Sequence, residues 1–392
     1  MRCVITPRRG WLPLYCIFAF IVVFIVVFIR DLHAQDLSNI QIHGFATQGF
    51  LFSTNNNYLA ADTSSGSLQW THGAISVIDA PSDNLRIGIQ LQMYQLGELG
   101  GPNIQVDWAS GDYRVNDHFG VRAGKVKTVV GLYNDSQDVD SIFLWCLLPQ
   151  GTYSADNESF FLSHLGVDVY GQFSLGDHRR KIKYTGYVGH VNLDLTGGFI
   201  KELSDEGLVF NYAPGGKVYG GDLRWLSFVH GLTVGSSITF EALDGTAPEV
   251  TLHIPTYHSE AQYAQFDRGK WSFSGQYSHI PSTQFITTPL GKIAQPYDIR
   301  SWYAMASYRI SEKVQVGSYY SHFINRALDT SLPQNYSKDF VISARYDFNN
   351  YFYAKIEDHF LHGTELGYYT SDNPNGLQPN SNILAAKIGF SF

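Results

Sequence analysis

From Gln35 onward the chain falls into short stretches whose apolar residues recur at every second position, joined by connections that are alternately short and long. A period of two places successive side chains on opposite faces of a strand. In Leu85, Ile87, Ile89, Leu91 and Met93 the apolar set alternates with Arg86, Gly88, Gln90, Gln92 and Tyr94, and Phe340, Ile342, Ala344, Tyr346 and Phe348 alternate with Asp339, Val341, Ser343, Arg345 and Asp347. Sixteen strands are predicted, at 40–53, 69–80, 84–97, 103–114, 117–126, 158–174, 179–191, 217–228, 231–242, 256–267, 270–281, 298–310, 313–324, 337–348, 351–362 and 382–392. The facing of the first is open, because His43-Gly44-Phe45 suits either parity.

The connections after even-numbered strands are short, as at Pro81-Ser82-Asp83, Val115-Asn116 and Asn349-Asn350. Those after odd-numbered strands are long, at 54–68, 127–157, 192–216, 243–255, 282–297, 325–336 and 363–381, with only 98–102 brief. A chain that weaves up and down through a membrane, with tight turns on one side and long loops on the other, gives this alternation. Proline cannot donate to a ladder. Pro102, Pro149, Pro214, Pro248, Pro289, Pro296, Pro333, Pro374 and Pro379 are expected in connections and Pro81, Pro255 and Pro281 at strand ends, so that none interrupts a strand.

Composition narrows the class. Only 16% of the residues are charged, beside 25 Tyr, 26 Phe, 7 Trp and 37 Gly, whereas soluble domains carry about 25% charged residues. Mean hydropathy is still slightly negative at −0.12. Outside the N-terminus no run of 18 apolar residues occurs, which excludes helical spans there. An all-β, transmembrane, antiparallel up-and-down barrel satisfies both facts. A β-propeller is the competing fold, but no motif repeats at its period of roughly 40 to 50 residues. About 8 strands would fill their own interior, whereas about 16 to 18 leave an aqueous channel.

At the N-terminus Arg2, Arg8 and Arg9 precede an apolar run from Leu12 to Ile29, followed by Leu32-His33-Ala34. This is read as an export signal over 1–34, cut before Gln35, with 35–392 as the barrel; a retained membrane helix is the alternative. Cleavage removes four Arg and one Asp, leaving 23 basic against 34 acidic residues and a net charge of −11. That balance argues against a nucleic-acid partner. Cys3 and Cys16 leave with the leader, so Cys146 has no internal disulfide partner.

The stretch from Asn382 to Phe392 alternates Leu384, Ala386, Ile388, Phe390 and Phe392 with polar or small residues and ends on an aromatic. It resembles the C-terminal signature of bacterial outer-membrane β-barrels, which implies outer-membrane lipid around the barrel and recognition by the barrel-assembly machinery. Sixteen strands with a long third outer loop resemble the Gram-negative porin superfamily, in which that loop folds into the lumen and narrows it. Gly124-Lys125-Val126-Lys127, followed by Gly131-Leu132-Tyr133-Asn134-Asp135, is similar to porins of the phosphate-selective type. The Pro-Glu-Phe-Gly-Gly stretch of general porins is absent, so their eyelet residues are not carried across. The resemblance implies a homotrimer, a constriction loop over 127–157, and constriction residues Lys127, Tyr133, Asn134, Asp135, Asp138 and Asp140.

Strand parity assigns Arg86, Arg122, Asp168, Lys181, Lys183, Asp222, Arg224, Glu260, Arg309, Arg345, Lys355, Glu357 and Lys387 to the lumen wall. Basic wall residues facing an acidic loop would set a transverse field, and such charges decide which ions pass; with the net charge of −11, weak cation preference is expected. Singly, these charges can equally pair with one another. Tyr94, Tyr170, Tyr187, Tyr303, Tyr319 and Tyr353 share the lumen parity and form either a sugar path or wall filling. Asp135, Asp138 and Asp140 depart from the EF-hand spacing and are read as ordinary loop acids, with no metal and no cofactor implied.

The expected function is passive diffusion of small hydrophilic solutes and ions. A channel selective for phosphate-like anions or sugars is the alternative, and a hydrolase or adhesin barrel the alternative of another class. Against catalysis, the neighbours Ser163-His164, Ser278-His279 and Ser321-His322 should leave opposite faces of their strands.

Overall fold

A computed structural model describes residues 39–158 and 162–392; the proposed leader lies outside the described residues. The strands are β1 (Ile40–Ser53), β2 (Trp70–Ser82), β3 (Leu85–Leu96), β4 (Leu99–Asn116), β5 (Phe119–Lys127), β6 (Ser163–Leu175), β7 (Asp177–Asn192), β8 (Gly215–Leu226), β9 (Leu232–Ala247), β10 (Val250–Arg268), β11 (Trp271–Thr288), β12 (Gly291–Arg309), β13 (Val314–Asn325), β14 (Tyr336–Asp347), β15 (Phe352–His362) and β16 (Asn380–Ser391). Each pairs with its neighbours in sequence, and β1 closes antiparallel on β16 from Phe45/Ser391 to Ser53/Ile383, giving a closed sixteen-stranded barrel. No helix among the described residues is long and apolar enough to cross a membrane. A closed sheet leaves no backbone group unpaired toward lipid, as a membrane-spanning barrel requires.

The two faces follow the pleat. Ile87, Ile89, Val167, Val169, Phe340, Ile342, Ile356 and Ile388 point outward and are exposed, while Thr47, Asp168, Tyr319, Glu357 and Lys387 on the other parity are buried inside. In β1 the odd residues Phe45, Thr47, Leu51 and Ser53 are the buried set, which fixes the facing left open by the sequence. At the short-turn end Phe390 packs on Phe352 and Phe392, and Trp271 on Phe273 and Tyr308, as in an interfacial aromatic girdle.

Two expected long loops are absent. β9 and β10 run on to a turn at 248–249, and β11 and β12 to a turn at 289–290. Their outer halves carry polar residues and prolines that mimic loop composition, yet go on pairing beyond the rim. The proline expectation holds for Pro149, Pro214, Pro248, Pro289, Pro333, Pro374 and Pro379, which lie outside the strands, and fails for Pro102, Pro255, Pro281 and Pro296. Pro81, Pro102, Pro255, Pro281 and Pro296 all lie within strands. Pro81 and Pro255 sit at register shifts between Asp79/Ser82 and Ile254/Tyr257. Pro281 faces the open part of the β10–β11 ladder between His253 and Glu260. Pro296 precedes the outermost β12–β13 pair, Ile299/Asn325, and Pro102 precedes the outermost β4–β5 pair, Ala109/Lys125. Proline is tolerated at bulges and free edges because no ladder bond is lost there.

The interior holds apolar clusters as well as polar walls. The amphipathic helix α1 (Gly198–Asp205), in the connection after β7, buries Ile200 and Leu203 against Tyr187, Val218, Leu243 and Leu252. Two further clusters join the third outer loop to the wall: Cys146 and Leu147 with Leu51, Trp70 and Ile383, and Leu144, Trp145 and Tyr153 with Tyr303, Tyr319 and Val341.

Candidate functional site

The third outer loop, described over 128–158, folds into the barrel and bonds to walls on opposite sides. At its root Lys127 Nζ lies 3.0 Å from Asp107 and 2.5 Å from Asp138, and Thr128 Oγ1 lies 2.9 Å from His164 Nδ1, whose Nε2 is 2.9 Å from Asp168. The loop then reaches β8, β9 and β11. Gly131 N donates to Ser237 Oγ at 2.8 Å, Arg224 Nη2 to Gly131 O at 3.1 Å, Leu132 N to Gln276 Oε1 at 3.0 Å, and Tyr133 OH to Ser274 Oγ at 3.0 Å.

It returns across the lumen to β13–β16. Asp140 takes Lys387 Nζ at 2.7 Å, Lys355 Nζ at 2.9 Å and Tyr353 OH at 2.8 Å. Arg345 Nη1 donates to Ser141 O at 2.5 Å and Phe143 O at 2.9 Å, and Glu357 accepts from Cys146 N at 3.1 Å and Leu147 N at 3.0 Å. Burial alone would push the Asp140 carboxyl up, but the Lys355 and Lys387 ammonium groups hold it well below the usual range. A carboxylate so enclosed is stable only with its counter-charges in place.

Most of the predicted wall charges are paired. Arg122 bonds Asp112 at 3.1 Å and lies 3.8 Å from Asp168, while Arg86 stands across the ladder from Asp112. Asp222 accepts from Ser237 at 2.7 Å and Tyr263 at 2.6 Å and lies 3.7 Å from Arg224. Arg345 meets Asp347 at 2.8 Å, and Arg309 reaches Gln315 at 3.4 Å. Lys181 and Lys183 face the lumen on β7, neighbours of Leu226 and Arg224 on β8. Within the loop Asn134 is buried and donates to Thr128 O at 2.8 Å, and Asp135 is exposed.

Glu260 is a correction, because it stands on the outward face. Its neighbours Ala261 and Tyr263 are the buried inner residues of β10, and Glu260 itself meets the outward His279 at 3.2 Å. The bulge between Ile254 and Tyr257 resets the parity of β10, and Phe266 is the only bulky apolar marker on its outer face below the bulge.

Three cavities follow one another beside the loop. The outermost, about 20 Å³, lies between Gln92, Tyr94, Glu158 and Asp194. The next, about 50 Å³, shares Tyr94 and Glu158 with it and is bounded by His72, Asp138, Asp140 and Lys387. The third, a chamber of about 450 Å³ toward the short-turn end, shares Phe143 and Trp145 with the second and reaches Lys183, Arg224, Ser274 and Gln315. Shared lining thus gives a line of spaces from the long-loop end to the short-turn end.

Sequence reasoning missed Glu158, Phe143 and Trp145 in the lining of these spaces. Glu158 falls in the loop because β6 starts at Ser163 rather than at 158. Burial, with Asp138 adding to it, pushes its carboxyl up to about 8. No local pattern marks these three residues.

The acids do not gather into a metal site. Asp138 and Asp140 are matched by lysines, and among the described residues no group of three or more His, Cys, Asp or Glu could hold a metal ion. Ser278 is buried in the interior while His279 points outward to Asp298 at 2.8 Å. The Thr128–His164–Asp168 chain has the connectivity of a nucleophile, base and orienting acid. All three residues are 5% exposed or less, so the chain anchors the root of the loop.

No family model matches the sequence, and no curated protein matches it. Among solved structures the chain is similar to Salmonella typhi OmpF in complex with daunomycin, at 14% identity and TM-score 0.58 over 90% of this chain and 97% of that chain. It is similar to an anion-selective porin from Comamonas acidovorans, at 11% and 0.54 over 90% and 99%. It is also similar to a trimer form of OmpT, an outer membrane protein of Vibrio cholerae, at 10% and 0.52 over 90% and 99%.

Proposed function

We propose, from a barrel that shares its fold with Gram-negative outer-membrane porins, that this chain is a passive channel for small hydrophilic solutes and ions. The observation that carries the reading is the third loop, bonded to β8, β9 and β11 on one side and to β14–β16 on the other, with a line of cavities left beside it. A loop so placed sets the size of what passes, and the charges beside it set the sign. Outer-membrane lipid surrounds the barrel, the leader over 1–34 is removed on export, and β16 is the segment read by the barrel-assembly machinery. The porin likeness, which includes a protein solved as a trimer, supports a homotrimer.

Cation preference is weak in this reading. Lysines match Asp138 and Asp140, so the exposed Asp135 and the outer-cavity Asp194 supply the negative field. Liposomes holding the purified protein test the size limit. Swelling should be fast in small sugars and fall off as sugar size rises. A rate equal to that of protein-free liposomes in every sugar contradicts the reading.

A further inference from the structure

We propose that the inner chamber binds small organic anions that carry an apolar ring, an inference that rests on the channel reading and names a solute class for it. Lys183 and Arg224 stand directly opposite one another on β7 and β8, and both line the chamber. Like charges directly opposite repel across a sheet; Asp222 at 3.7 Å offsets Arg224, while Lys183 is exposed to the chamber. Arg224 is partly used, through Tyr263 OH at 3.0 Å and Gly131 O at 3.1 Å. Among the described residues the Lys183 ammonium has no ion pair or hydrogen bond, and Lys181 follows it on the same face.

The nearby acids meet Arg224, through Asp222 at 3.7 Å, and among the described residues leave Lys183 without one. Asp222 is already engaged by Ser237, Tyr263 and Arg224. Asp135, exposed on the loop, does not line the chamber. The loop also lines the chamber with Leu132, Phe143, Leu144 and Trp145, and the wall adds Met305. Ser272, Ser274 and Ser307 supply hydroxyls to the same lining. A volume of about 450 Å³ is that of a small-molecule site, where apolar lining provides affinity and a few polar groups fix orientation. Inorganic phosphate would leave the aromatic side unused, and a neutral sugar would leave Lys183 without a counter-charge.

The test pairs equilibrium dialysis of labelled benzoate against the folded barrel in detergent with single-channel recording, with acetate, inorganic phosphate and benzylammonium as comparison solutes. The expected result is saturable benzoate binding and saturable block from the short-turn side, both weakened about tenfold or more in Lys183→Gln, with no comparable effect of the other three. Asp135→Asn should tighten benzoate binding, as removal of a nearby negative charge requires. Absence of benzoate binding to a barrel that conducts overturns the inference and leaves the channel reading standing. Equal binding in Lys183→Gln, or block by benzylammonium as strong as by benzoate, also overturns it. Benzoate binding without conduction supports the site and removes the channel.

Discussion

Asp140 carries more of the constriction than any other single side chain, because Lys355, Lys387 and Tyr353 from two strands converge on it. Asp140→Asn leaves two enclosed ammonium groups without their carboxylate. Removing one partner of such a pair costs about 3–5 kcal/mol. The temperature at which the folded band disappears on a gel should drop, while Asp135→Asn, at an exposed position, should leave it within error. Replacing Asp140, Lys355 and Lys387 together with Leu, Met and Met should recover much of the loss, since a whole buried network exchanged for apolar groups is often neutral.

In the proposed channel Glu158 should confer a pH dependence. Its carboxyl, pushed up to about 8 by burial, is neutral below that pH and anionic above it. The cavities it lines gain a negative charge as pH rises through about 8, so preference for potassium over chloride should increase between about pH 6 and 9. Reversal potentials in a salt gradient measure this, and Glu158→Gln should abolish the change. The facing of Lys355 and Lys387 was legible from alternation, and so was an acidic loop opposite a basic wall. The particular partners were not, because they lie 215 and 247 residues from Asp140 in sequence. Glu260 was misplaced because a bulge resets parity without any mark in the sequence.

At the level of elements, strands were legible wherever one face meets lipid, since lipid enforces strict alternation. Above the rim that pressure ends. The outer halves of β9 to β12 therefore read as loops, and α1, within the long connection after β7, went unseen. The third loop was legible by its length but not by its path, which rests on contacts with the remote strands β8 to β16. Deleting residues 132–146 should enlarge the single-channel conductance, because the deleted stretch supplies Asp140, Phe143 and Trp145 to the spaces beside the loop. An unchanged conductance would mean that current does not pass beside the loop.

For the whole molecule, closure of β1 on β16 decides everything else, because it removes the sheet edges and separates a lipid face from a wet interior. Charge belongs to the same scale. Most wall charges are paired with neighbours on the wall or with the third loop, so the net field along the proposed passage is small, and replacing Asp135, Asp138 and Asp140 with Asn should shift the reversal potential toward that of chloride. Recording from purified protein in a planar bilayer tests the central claim most directly. Stepwise, ohmic current increments with a modest preference for potassium over chloride are expected. Correctly folded protein that inserts and gives no steps would contradict the claim.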